Sequence, residues 1–165
     1  MKKSADITPD GIYRYSLTRD WSEEGETVKT VCFVGLNPST ADAELDDPTI
    51  RRCIGFAKAW GYNRLVMVNL FAYRATEPAD MKRAFAPEGL FNLTIVHEQS
   101  ACADLTVAAW GTHGSFQGNN ERYLRCLNNP HHLGLSKHGH PKHPLYLKGD
   151  VKPQPMEIPD ADVDG

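Results

Sequence analysis

Four short segments concentrate side chains able to bind or break something. The first is Gly35-Leu36-Asn37-Pro38-Ser39-Thr40-Ala41-Asp42. Gly35 lets the backbone come close to a ligand, and Pro38 stiffens the turn. Asn37 carries both a donor and an acceptor. Ser39 and Thr40 add hydroxyl and N–H groups suited to a phosphate. The lysine and glycine spacing of a P-loop are absent, and a strand-to-helix turn with capping residues would use the same residue types. The second segment starts at Asn69, directly after an apolar run. Its carboxamide suits the edge of a base, or else satisfies backbone groups at a strand end. Phe71 and Tyr73 follow; they would stack on a planar ligand or pack in the core. The third is Trp110-Gly111-Thr112-His113-Gly114, a polar pair between glycines, with His113 as a titratable group. The fourth runs from Ser136 to Leu147 and holds His138, His140, Lys142, His143, Pro144, Leu145 and Tyr146. With Lys137, Lys148 and Lys152 it is the most basic stretch of the chain. Its histidines raise a zinc reading, but no cysteine or carboxylate lies near them in sequence. A basic loop facing an anion is the stronger reading, and no resident metal or other cofactor is expected.

These segments need a scaffold that brings them together. Val31 to Val34, Leu65 to Val68 and Leu105 to Trp110 are apolar, β-branched runs of the kind buried on both faces of a parallel sheet. A helix is expected from Pro48 to Trp60, because Pro48 suits a helix start and Ile50, Cys53, Ile54, Ala57 and Trp60 share one face. Further helices are expected over 89–103 and 119–127, a polar loop over 74–88, and a short strand at Leu133-Gly134-Leu135. Residues 11–18 alternate apolar and polar and read as a strand forming an N-terminal hairpin with Val28 to Val34. Alternating strands and helices imply right-handed crossovers. The expected fold is a three-layer α/β/α sandwich with a short, mainly parallel four-stranded sheet plus that hairpin. In open α/β sheets ligands bind beyond the carboxyl ends of the strands, where all four segments then fall.

A length of 165 residues suits one domain, expected over 1–150 with an acidic, Pro-containing tail over 151–165. No apolar run reaches the roughly 20 residues of a membrane helix, and no apolar stretch follows the N-terminus, so a cytoplasmic protein without a membrane partner is expected. Cys32, Cys53, Cys102 and Cys126 are widely spaced and read as buried reduced thiols. Net charge is -3, which disfavours a protein that coats nucleic acid. Four of the 21 acidic residues lie in the last ten positions, leaving 17 against 18 Lys plus Arg, so the body is nearly neutral and has room for a local basic face.

The four segments, in order, resemble motifs of the uracil-DNA glycosylase superfamily. Val34-Gly35-Leu36-Asn37-Pro38-Ser39 is similar to the strand and Gly-x-Asn-Pro-Gly of its mismatch-specific branch, with Ser39 in place of the second glycine. Val66-Met67-Val68-Asn69-Leu70 resembles a strand running into a base-recognising asparagine. Trp110-Gly111 matches a third strand ending in Trp-Gly. His143-Pro144-Leu145-Tyr146 resembles the closing His-Pro motif, with Leu145 where a serine usually stands. The whole chain is also similar to a bacterial and phage family catalogued as a domain of unknown function. The glycosylase resemblance covers roughly residues 30–147 and implies roles. Asn37 would position water at the sugar carbon, Asn69 would bond the flipped base, and His143 would stabilise the departing base. Ser39 and Thr40 would hold a phosphate, and Leu145 or Tyr146 would fill the gap in the stack. The Asp found in the first motif of the classical branch has no counterpart here; Asp42, Asp46 and Asp47 follow as substitutes or as helix caps.

The expected function is glycosylase-type hydrolysis of the N-glycosidic bond of a uracil-like or modified base in DNA or a nucleotide. Asn37 and His143 are the catalytic candidates, and Asn69, Phe71 and Tyr73 the base-binding ones. Gly35, Pro38, Ser39, Thr40, Lys142, Pro144, Leu145 and Tyr146 are the phosphate- or DNA-binding candidates. DNA or a nucleotide is the expected partner of a monomer. The alternatives are a binding protein that holds a nucleotide or modified base without cleaving it, and a metal-dependent hydrolase using Asp46, Asp47 and the histidines.

Overall fold

A computed structural model describes residues 1–158. It contains strands β1 (Lys2–Ile7), β2 (Arg14–Asp20), β3 (Thr30–Gly35), β4 (Arg64–Asn69), β5 (Leu105–Ala108), β6 (Pro130–His132) and β7 (Gln154–Pro155). Its helices are α1 (Pro48–Ala59), α2 (Pro78–Arg83), α3 (Asn92–Cys102) and α4 (Asn119–Leu124). The strands form one mixed sheet in the order β1-β2-β4-β3-β5-β6-β7. β3 pairs in parallel with β4 and β5, and β5 with β6. The β1–β2, β2–β4 and β6–β7 pairs are antiparallel.

This overturns the expected short, mainly parallel four-stranded sheet with a separate hairpin. The sheet has seven strands, and its N-terminal side is antiparallel. The hairpin partner also differs. β2 pairs with β1 on one side and with β4 on the other, Leu17 lying opposite Met67, whereas β3 sits at the centre of the sheet. A run buried on both faces, such as Val31 to Val34, demands a central position and cannot serve as one arm of an edge hairpin.

Pleating sorts the central strands onto two cores. Val31, Phe33, Leu65 and Met67 face α1, through Ile50, Cys53, Ile54, Phe56 and Ala57. Cys32, Val34, Val66 and Val68 face the other helices, through Met81, Val96, Tyr123 and Leu124. Each fully buried Phe, Leu or Ile contributes about 1.5–3 kcal/mol by removal from water. Helix α1 starts where Pro48 predicts, capped by Asp47, whose carboxylate accepts from the Ile50 N–H at 2.9 Å. Trp60 closes it, stacked on Phe56 and Phe33 with ring centroids 5.5 and 5.9 Å away.

The other elements depart more from expectation. The polar loop over 74–88 contains α2, and the strand expected at 133–135 lies at Pro130–His132. Helices α3 and α4 are shorter than their apolar spacing implies, and a 3-10 segment, Thr112–Gly118, precedes α4. Residues assigned to the tail join the body: the Trp60 indole donates to the Val151 carbonyl at 3.1 Å, and β7 pairs with β6. The acidic positions Asp160, Asp162 and Asp164 lie outside the described residues. Cys32 and Cys53 are buried free thiols, pushed up to about 12 and still higher by burial, whereas Cys102 is exposed at the end of α3. Among the described residues no helix is long and apolar enough to cross a membrane.

Candidate functional site

A cleft of about 670 Å³ opens at the carboxyl ends of β3 and β4. It is lined by the turn after β3, the entry to α1, the segment 75–78, the turn after β5 and the segment around His143. Of the residues singled out from sequence, Gly35, Asn37, Pro38, Ser39, Thr40, Asn69, His113, His143, Leu145 and Tyr146 line it. Four segments separated by up to about 110 residues therefore meet around one space.

Phe71, Tyr73, Lys142 and Pro144 do not line the cleft. Phe71 is fully buried in the core beneath α3 and packs against Phe116. Tyr73 sits edge-on to Tyr13, with its backbone in a bridge to that residue. The strand ends at Asn69, so the period-two alternation that would carry both aromatics toward the ligand is lost there. Pro144 is buried, and the Lys142 stem lies over Gly134. His138 and His140 belong to a tight turn closed by the Leu135–Pro141 bridge and stay away from the cleft. Among the described residues no three His, Cys, Asp or Glu side chains are grouped as metal ligands.

Asn37 is anchored through its nitrogen. Its Nδ2 donates to the carbonyls of Ala75 at 2.9 Å and Pro38 at 3.1 Å. That orientation leaves Oδ1 as the end able to accept a hydrogen bond from a ligand or a water. Asn69 differs. Its side chain is 2% exposed, and its Nδ2 has no hydrogen-bond partner. A buried donor left unmade costs about 1–3 kcal/mol, so a protein keeps one at a cleft wall at the expense of its own stability. Gly35 makes room for this amide, since a Cβ there would lie 2.7 Å from Asn69 Oδ1 and from Met67 Cε. Behind the strand end, Asn92 donates to the Asn69 carbonyl at 2.7 Å and to the Tyr123 hydroxyl at 3.0 Å. Asn119 donates to the Leu70 carbonyl at 3.0 Å. Tyr123 in turn donates to Glu88 at 2.7 Å, and burial raises its phenol far above the usual range.

His143 is held from both sides. The Gly111 N–H, at a φ of 74° that favours glycine, donates to the Pro141 carbonyl at 2.9 Å. The Arg52 guanidinium holds the Leu147 carbonyl. The His143 Nδ1 accepts from the Leu145 N–H at 3.2 Å. The neutral ring therefore carries its proton on Nε2. Burial lowers its pKa from the ordinary value, opposed by the carboxylate of Asp47. The result is a neutral imidazole with one free donor.

Arg14 is a cleft residue that was not singled out from sequence. Arg14, on β2, is 2% exposed; its Nη1 donates to the Ala41 carbonyl at 2.9 Å, and its Nε is buried without a partner. Desolvation brings its pKa down to about 10, opposed chiefly by Asp47. An arginine in an alternating strand reads as part of a solvent face, and only the placement of β2 beside β4 reveals its burial. Trp110, part of the third segment singled out from sequence, also lines the cleft; its Nε1 is buried and unpartnered, under the close backbone of Gly114. Of the acidic candidates, Asp47 lines the cleft as the α1 cap, and Asp46 pairs with Arg19 at 2.8 Å. Asp42 accepts from the N–H groups of Glu44 and Leu45 within its own turn.

Chemically the cleft is rich in unmet donors: Asn69 Nδ2, Trp110 Nε1, Arg14 Nε and the free edge of His143. Its acceptors are Asn37 Oδ1 and the Asp47 carboxylate. Such a lining suits a ligand bearing several acceptor oxygens or ring nitrogens. No curated protein and no solved structure matches the chain. A family does match, over residues 14–145, which span every cleft residue except Tyr146: the chain belongs to the family described as "Protein of unknown function (DUF1643)".

Proposed function

We propose that this protein hydrolyses the N-glycosidic bond of a uracil-like or modified base, in DNA or a nucleotide. The observation that carries the reading is the unpartnered Asn69 amide in a cleft shared with the anchored Asn37 and the neutral His143. Breaking the bond between sugar and base builds positive charge on the sugar and negative charge on the base. Asn69 would take the acceptor edge of the base. His143 Nε2–H would meet the oxygen on which negative charge grows, without first having to lose a proton. Asn37 Oδ1 would orient the attacking water. The motif order that resembles the uracil-DNA glycosylases supports the same division of labour, and Leu145 and Tyr146, exposed at the cleft rim, would fill the space of an extruded base.

The test is excision from labelled oligonucleotides carrying uracil, hydroxymethylated or glucosylated pyrimidines, or common lesions, in single and double strands. Abasic products that vanish in both Asn37→Ala and His143→Ala support the assignment. Absence of product on every substrate, with all proteins folded, overturns it. The second reading is a nucleotide or modified-base binding protein that performs no cleavage; the unmet donors alone favour it. In that case nucleotides raise thermal stability by mass action while no base is released.

A further inference from the structure

We propose that the buried Arg14 guanidinium contacts a phosphate group of the ligand in the cleft, beside the Ser39-Thr40 turn. This deepens the reading above and rests on it only for the position of the ligand, not for the reaction.

Two arginines shape the turn. Arg74 donates from Nε to the Ser39 carbonyl at 3.3 Å and from Nη2 to the Thr40 carbonyl at 3.4 Å. Arg14 donates from Nη1 to the Ala41 carbonyl at 2.9 Å. Three successive carbonyls are thus drawn to cations. In a trans peptide the N–H points opposite to the carbonyl of the same plane. The Thr40 N–H is therefore turned away from Arg74 and finds no acceptor among the described residues, whereas Ala41 is fully buried outside the cleft lining. A free backbone N–H beside a cation is a donor suited to an anion. Arg74 works from outside, since it borders a separate hollow with Asp80 and Arg83, whereas Arg14 lines the cleft itself.

Arg14 makes no ion pair with any carboxylate among the described residues, although Asp47 lies close enough to bias its titration. A guanidinium buried with Nε unmet leaves a donor whose best partner is an oxyanion. Arg14 Nε, the hydroxyls of Ser39 and Thr40, and the free Thr40 N–H exceed what the two oxygens of a carboxylate accept comfortably. A phosphate, with three or four oxygens, matches them.

The experiment titrates the full chain with inorganic phosphate, deoxyuridine, deoxyuridine monophosphate and a short single-stranded oligonucleotide. Affinity is followed by calorimetry, and the arginine Nε–H resonances by NMR. The monophosphate is expected to bind at least tenfold tighter than the nucleoside and to shift the Arg14 Nε–H signal. Arg14→Lys should weaken the monophosphate about tenfold, and Arg14→Gln should abolish its advantage over the nucleoside. A shift with the mononucleotide assigns a terminal phosphate; one with the oligonucleotide alone assigns a phosphodiester. An Arg14 signal unmoved by every phosphate ligand, the oligonucleotide included, overturns the proposal. The wild-type spectra decide the matter even where the variants fail to fold. Excision is scored separately, so a glycosylase without an Arg14 phosphate site and a phosphate site without excision give different results.

Discussion

Three buried asparagines surround the end of β4, and only one of them makes no bond with its side-chain amide. Asn92 and Asn119, both fully buried, tie down the carbonyls of Asn69 and Leu70. Asn69 bonds nothing with its Nδ2. Replacing each with alanine should therefore give opposite results. A net bond to a buried carbonyl is worth about 0.5–1.5 kcal/mol, and the acceptor left orphaned adds about 1–3 kcal/mol. Asn92→Ala and Asn119→Ala should each lose about 2–3 kcal/mol. Asn69→Ala removes a donor that is already unsatisfied, and the space it leaves opens into the cleft. Its stability should stay level or rise by about 1 kcal/mol. For a domain of this size, 1 kcal/mol moves the Tm by about 2–4 °C. Urea unfolding of the three variants, with ligand binding measured in parallel, reads both sides. Asn69→Ala should be as stable as the parent and lose its ligand. A loss above about 2 kcal/mol for Asn69→Ala would refute the reasoning, because the amide would then be serving the fold.

Further outcomes follow from the same geometry. Gly35→Ala puts a methyl about 0.7 Å inside contact with Asn69 and Met67; it should cost about 1–3 kcal/mol, and less when combined with Asn69→Ala, a coupling that a double-mutant cycle measures. His143 and His132 both have pKa values lowered by burial, so their contribution to stability is complete above the unfolded value near 6.5 and is lost as pH falls below it. Urea midpoints at pH 7.5 and pH 5 should show that loss, and His143→Gln should reduce the difference. Asp47→Ala should cost about 1 kcal/mol for the lost cap, whereas Asp47→Asn should keep the cap and lower the His143 pKa further, which a proton NMR titration reads.

The parallel centre of the sheet was legible because a strand buried on both faces leaves an unbroken apolar run, as at Val31 to Val34 and Leu65 to Val68. The start of α1 was legible from Pro48. The meeting of the Asn37, Asn69 and His143 segments followed from the rule that such sheets bind beyond their carboxyl ends. What failed was long-range pairing. β1 is an edge strand with exposed or half-exposed residues throughout, so it carries no alternation to detect. Nothing local in Arg14 to Asp20 says that β4 is its neighbour, and hence nothing marks Arg14 as a buried cleft residue. Phe71 and Tyr73 looked like ligand platforms because planar rings follow Asn69 so closely; beyond the end of β4 the chain instead sends Phe71 into the core and Tyr73 against Tyr13. Helix α2, at six residues, is too short to show a period.

The placement of β2 has a consequence for how the protein reaches its working form. The parallel block can close through crossovers of moderate span, but the wall carrying Arg14 arrives only when Leu17 docks against Met67, fifty residues along the chain. That closure joins an N-terminal hairpin to the parallel block across a long stretch of chain. The cleft therefore draws on two parts of the sheet, and a transient release of the hairpin would dissolve the anion contact carried by Arg14. A ligand that bridges both parts would hold them together, so hydrogen exchange in β1 and β2 should slow on ligand binding more than exchange in β3.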